Sequence, residues 1–122
     1  MNVNYSFQRK NNFFSGLGIN TILILINVVL FVAFTILIAS NSAFLDFIAI
    51  KPSNILQGKY IWTFLTSMFM HGGFFHIFAN MLTLLFIGSL VERIIGKKRY
   101  LYFYLIAGLF AGLFFVLSSL IF

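Results

Sequence analysis

Apolar residues run almost unbroken through three stretches of this chain, and polar residues collect between them. "TILILINVVLFVAFTILIA", residues 21–39, contains no charge. Each of its Leu, Ile, Val and Phe residues favours insertion into a bilayer by roughly 0.3 to 0.6 kcal/mol, which together outweighs Asn27 and two threonines. A second uncharged run, residues 60–91, is too long for one span; the Gly72–Gly73 pair divides it and leaves a helix over about 74–91. The third, "YLYFYLIAGLFAGLFFVLSSLIF", covers 100–122. About 20 apolar residues match the thickness of a bilayer core. Only helices fit, because an open strand edge in lipid leaves backbone groups without partners. The pattern predicts an all-α membrane protein: three transmembrane helices with a partly interfacial loop between the first two.

Composition agrees with that reading and narrows it. The hydrophobic fraction is 61%, mean hydropathy is +1.05 and only 8% of the 122 residues are charged, whereas a soluble domain is about a quarter charged. No cysteine is present, so disulfide and thiol chemistry are excluded. The net charge of +6 is clustered, without the basic–aromatic interleaving that binds nucleic acid. Arg9 and Lys10 precede the first apolar stretch; with the small residues of "LIASNSA" they resemble a signal peptide, but the stretch exceeds the 7–15 residues of a signal core, which predicts a retained helix.

Basic residues set the expected topology. Arg9 and Lys10 lie before span one, and Arg93, Lys97, Lys98 and Arg99 fill the turn between spans two and three. The loop over 40–73 carries only Lys51 and Lys59, partly offset by Asp46. The positive-inside rule puts the N-terminus and the "ERIIGKKR" turn in the cytoplasm, giving a cytoplasmic segment over 1–20 and a membrane domain over 21–122. The same cations suit a lipid-headgroup anchor. In the outer loop, Pro52 is followed by the possible capping residues Ser53 and Asn54, then by an amphipathic stretch with the only tryptophan, Trp62, suited to the membrane interface.

Within span two, His76 and Asn80 are four residues apart and stack on one face of a helix, extended by Thr83. Such a stripe is costly against lipid and is expected to face the bundle interior or a water-filled cavity. Interhelical hydrogen bonding, worth about 0.6 kcal/mol per bond, accounts for it structurally. A metal site does not: His71 and His76, five apart, point about 140° from each other around a helix, and no carboxylate lies near. No cofactor is expected. A third reading is chemical. Neutral imidazole and carboxamide are both N–H donors, the groups that stabilise a developing oxyanion.

The stretch "WTFLTSMFMHGGFFHIFANMLTLLFIGSLVERIIGKKRYLYFYLIAGLFAG" resembles the rhomboid intramembrane serine proteases. The likeness rests on Trp62, the "TSMFMHGG" lead-in, His76-x-x-x-Asn80, Gly88-x-x-x-Glu92-x-x-x-Gly96 and the basic turn, and runs from about Phe44 to Gly112. It implies the first half of a six-helix bundle in a protease that cleaves transmembrane segments of other membrane proteins. That family uses a Ser–His dyad, with the serine in a Gly-x-Ser-Gly motif on the fourth core helix and the histidine on the sixth. By this resemblance His76 and Asn80 are the catalytic oxyanion donors.

Two departures accompany it. Thr63 follows Trp62 where the family has Arg, and no Gly-x-Ser-Gly occurs in the sequence. Ser118 and Ser119 lack flanking glycines, so the chain alone is expected to be inactive, with a missing C-terminal half or a partner chain supplying nucleophile and base. Gly108 and Gly112 form a G-x-x-x-G that lets another helix approach, with packing inside the same bundle expected over dimerisation. Two function classes follow: the N-terminal half of an intramembrane serine endopeptidase, acting on transmembrane protein substrates, or a noncatalytic rhomboid-like protein that binds client transmembrane helices in the lipid bilayer. A small pore explains the charge but not the ordered motifs.

Overall fold

The computed structural model describes residues 16–121; Arg9 and Lys10 lie outside the described residues. Three helices are long and apolar enough to cross a membrane: α1 (Ile19–Ser40), then, after the short α2 (Phe44–Ile48), α3 (Pro52–Leu56) and α4 (Thr63–Thr66), the long α5 (Phe74–Ile95) and α6 (Lys97–Ser118). Each long helix has 22 residues, about 33 Å at 1.5 Å per residue. Their ends differ from those of the apolar runs because polar residues stay helical: Glu92 and Arg93 belong to α5, and Lys97, Lys98 and Arg99 to α6, which ends at Ser118, short of the end of its apolar run. The basic turn shrinks to the single residue Gly96, whose φ of +87° is a conformation that a side chain would strain.

The packing inverts that of a water-soluble bundle. The buried positions of α1 are Asn20, Leu23 and Asn27, one face at spacings of three and four, and both asparagines are 1% exposed. Leu25, Val29 and Ile36 are each more than half exposed, as suits lipid-facing positions. Asn27 donates through Nδ2 to the Leu23 carbonyl at 2.8 Å and to the Tyr104 hydroxyl at 3.1 Å. Inside lipid a polar side chain without a partner is expensive, so the amides that could not face outward tie α1 to α6.

Asn20 is the centre of a denser cluster at the basic end. Its Nδ2 donates to the Leu84 carbonyl (2.6 Å) and to Ser89 Oγ (2.9 Å), while its Oδ1 accepts from the Tyr100 hydroxyl at 2.6 Å. Leu84 opens a single π-helical turn, Leu84–Gly88, inside α5. Beside it, the Glu92 carboxylate accepts from the backbone N–H groups of Ile19 (2.6 Å) and Asn20 (3.0 Å). No side chain of its own caps α1; a carboxylate from another helix does so, satisfying orphan amides and complementing the helix dipole. Lys97 closes the corner by donating to the Leu17 carbonyl at 2.8 Å.

At the opposite end the loop is folded onto the helices. Pro52 occupies the first turn of α3 after an extended Lys51, as its fixed φ favours; Ser53 and Asn54 therefore lie inside the helix and do not cap it. Trp62 donates through Nε1 to the Phe47 carbonyl (3.1 Å), and Thr66 through its hydroxyl to the Ile48 carbonyl (2.8 Å). The G-x-x-x-G of α6 meets this loop rather than another spanning helix. A methyl group on Gly108 would collide with Met68, and one on Gly112 would stand 3.0 Å from Phe64.

Gly88 is the position where the basic-end cluster is most exposed to change. A Cβ there would lie 2.5 Å from both Asn20 Oδ1 and the Tyr100 hydroxyl, forcing that hydrogen-bonded pair apart. Gly88→Ala is expected to destabilise the protein by about 1–3 kcal/mol, the usual range for overpacking. Gly72→Ala, with open space around its Cβ, is expected to stay within about 0.5 kcal/mol. Unfolding of both variants in one detergent checks the contrast.

Candidate functional site

His71 is held against α1: its ring lies edge-on to Phe31, with centroids 6.4 Å apart. His71 and the three residues after it line one cavity with Phe31, Thr35, Ile38 and Ala39, so the turn lies alongside the last turns of α1. The turn "HGG" and the first residues of α5 thus lie below the level at which α1 finishes. Non-helical backbone at such a depth is tolerated only where protein buries it or water reaches it.

Two cavities flank the turn. A cavity of about 510 Å³, lined by Phe31, Thr35, His71, Gly72, Gly73 and Phe74, opens on one side of the turn. On the other side a cavity of about 220 Å³ gathers the polar groups of Asn27, His71, Asn80, Thr83 and Tyr104. His71 borders both. Its Nδ1 lies 3.2 Å from the Phe69 carbonyl; a carbonyl only accepts, so Nδ1 carries the proton and Nε2 is the bare nitrogen of the neutral ring. Burial is the main cause holding the His71 pKa below 6.5, and the neighbouring His76 adds to it.

His76 follows on the first turn of α5, its ring 5.3 Å from that of His71 and inclined at 70°. Asn80 comes one turn later on the same face and reaches the smaller cavity. Both are exposed, and neither side chain hydrogen-bonds to another described residue, unlike Asn20 and Asn27. Thr83 is spent locally, its hydroxyl donating to the Ala79 carbonyl at 3.0 Å. The arrangement therefore offers two N–H donors, one turn apart, with no hydrogen bond to another described residue. No group of three or more His, Cys, Asp or Glu able to hold a metal occurs among the described residues.

Ser118 and Ser119 do not join the site. Their hydroxyls donate to the Phe115 (2.8 Å) and Val116 (2.6 Å) carbonyls of their own helix. Sequence reasoning missed Asn20, which it left in the segment before the first span, and weighed His71 only as a metal ligand, which it rejected, and as part of the "TSMFMHGG" lead-in. The spacing of Asn20, Leu23 and Asn27 carried the signal for an inward polar face; nothing local in the sequence marks His71 as the wall between two cavities.

The sequence pattern of the Rhomboid domain matches residues 58–120, half of the chain, and includes the turn, both donors and the Gly88–Glu92–Gly96 series. The chain belongs to the rhomboid family. It is 40% identical over 63 residues to Inactive RHOMBOID-like protein 8 of Arabidopsis thaliana, covering 52% of this chain and 18% of that protein. To RHOMBOID-like protein 1 of the same plant it is 38% identical over 72 residues, 59% of this chain and 18% of the relative. To Rhomboid protease GluP of Bacillus subtilis (strain 168) it is 41% identical over 59 residues, 48% and 11%. The chain thus spans less than a fifth of the length of these rhomboid relatives. No solved structure matches it.

The buried neutral His71 makes stability depend on pH. The unfolded chain takes up a proton near pH 6.5, before the folded one does, so acid favours unfolding. Stability is expected to be level above about pH 6.5 and to fall as the pH drops from there through the lowered folded value. His71→Phe, which cannot titrate, is expected to flatten that part of the profile in detergent unfolding measurements between pH 5 and 8.

Proposed function

We propose that this chain forms the N-terminal part of the core of a rhomboid intramembrane serine endopeptidase, with His76 and Asn80 as donors to the tetrahedral oxyanion. The observation that carries the reading is the state of these two side chains: exposed, on one face of α5 and without hydrogen bonds to other described residues, with Asn80 lining the smaller cavity and His76 packed against His71, which borders it. Every other asparagine within the spans is used to hold helices together. Donors left open at a water-accessible turn suit a ligand that forms only during reaction, and preorganised donors of this kind act most strongly on charge that develops in the transition state.

In this reading the basic end faces the cytoplasm, by the positive-inside rule, and the His76–Asn80 face opens toward the outer side. The substrate is a transmembrane segment of another membrane protein, whose scissile carbonyl is brought to that face. A serine nucleophile and a histidine base must come from outside the 122 residues, because no Gly-x-Ser-Gly occurs among them and Ser118 and Ser119 are bonded to their own helix. Asn80 donates through its carboxamide N–H and His76 through a ring N–H.

A second reading has its own support. One relative, 40% identical over the matched region, is named an inactive rhomboid-like protein, so the shared half-fold also suits a protein that binds transmembrane helices without cutting them. The two readings separate on the donors. With the chain assembled with the rest of a rhomboid core and a transmembrane reporter substrate, His76→Ala and Asn80→Ala are each expected to slow cleavage by about 10²–10³-fold, the usual effect of losing one oxyanion donor, with membrane insertion unchanged. Reporter helix captured but left uncut by the wild-type assembly supports the binding role instead.

A further inference from the structure

The basic end of the molecule has a surplus of charge that the protein itself leaves uncompensated. Arg93 ends α5, and Lys97, Lys98 and Arg99 begin α6, brought together by the single-residue turn at Gly96. All four are exposed. The sequence holds only two acids in total. Asp46 lies in the loop at the opposite end and pairs with Lys51 at 2.5 Å. Glu92 is the nearer one, yet both its oxygens are turned inward onto the amides of Ile19 and Asn20. Four cations against one inward-facing carboxylate leave a surplus of three.

Among the described residues, internal interactions explain one of these cations. Lys97 is held by the Leu17 carbonyl. Three cations in the first turn of α6 stand where the helix dipole disfavours positive charge, so the helix itself does not favour them there. Membrane geometry suits their position instead: they stand at one end of two helices long and apolar enough to cross a bilayer, where lipid headgroups gather. A cluster of Lys and Arg beside a span attracts anionic headgroups, with an effect that accumulates per cation and falls off within a Debye length.

We infer that the Arg93–Lys98–Arg99 turn is a binding surface for anionic phospholipid headgroups. The charge complementarity is direct, since the countercharge is supplied by the membrane and not by the protein. The same turn carries Glu92, so a bound headgroup sits on the corner where α1, α5 and α6 join. The surface serves either function discussed above and depends on neither.

The test uses the whole chain in vesicles of equimolar phosphatidylglycerol and phosphatidylcholine, extracted in mild detergent, with the retained lipids counted by native mass spectrometry. Phosphatidylglycerol is expected to be enriched on the order of tenfold on the wild type and near unity on R93Q/K98Q/R99Q. The charge-preserving R93K/K98R/R99K is expected to keep the enrichment, and K51Q/K59Q, altered at the other end, to leave it unchanged. Raising salt to about 1 M, where screening shortens to about 3 Å, is expected to abolish it in the unmodified protein. That arm needs no variant to fold. Equal retention of both lipids by the wild type, or an enrichment that survives either the salt or the triple glutamine substitution, overturns the inference.

Discussion

The contact on which the rest of the structure depends is the Glu92 carboxylate set against the first amides of α1. A helix that starts at the edge of lipid has unpaired N–H groups, and α1 has no capping side chain of its own. Receiving the cap from α5 makes the start of one helix and the end of another a single unit. Gly88, one turn earlier on α5, admits the Asn20–Tyr100 hydrogen bond, and Gly96, one turn later, reverses the chain into α6. The four-residue series Gly88–Glu92–Gly96 thus has three separate physical reasons, which are close approach, helix capping and a left-handed turn.

That corner also decides what the other end of the bundle can be. With α1 fixed to the second half of α5 and to α6, Asn27 is carried to Tyr104 and Phe31 to His71. Asn27 and Tyr104 line the smaller cavity whose outer part is formed by His71 and Asn80. The donors therefore stand on a helix whose far end is anchored and whose near end begins at an open turn. Rigid support at one end and an open turn at the other suit the oxyanion role proposed for these two residues.

Much of this was legible in the sequence, for reasons that differ by residue. The spanning helices could be read because lipid demands long apolar runs. His76 and Asn80 could be placed on one face because helix spacing alone determines it. The helix ends were misjudged where charged residues stay helical: Glu92 and Arg93 look like a turn until Glu92 is seen capping α1. The π-helical turn at Leu84–Gly88 has no local signature; it is seen only with Asn20 donating to the Leu84 carbonyl, 64 residues distant in sequence. The partner of Gly108 was equally out of reach, since small residues announce a close approach but do not name Met68 of the loop as what approaches.

The polar residues of the spans then sort into two kinds. Asn20 is hydrogen-bonded through both its amide nitrogen and its oxygen, and Asn27 through its nitrogen, to neighbouring helices or to their own helix, and both serve the fold. His76 and Asn80 have the same chemistry and the same helical setting, but no partner among the described residues. Polar side chains in lipid are stable only when something else satisfies them, so the face that bears these two must meet water or a polar group of another protein segment. A protein stabilised by pairing Asn20 and Asn27 gains no stability from leaving Asn80 open. The difference between paired and open asparagines is thus the physical mark that separates the scaffold from the site.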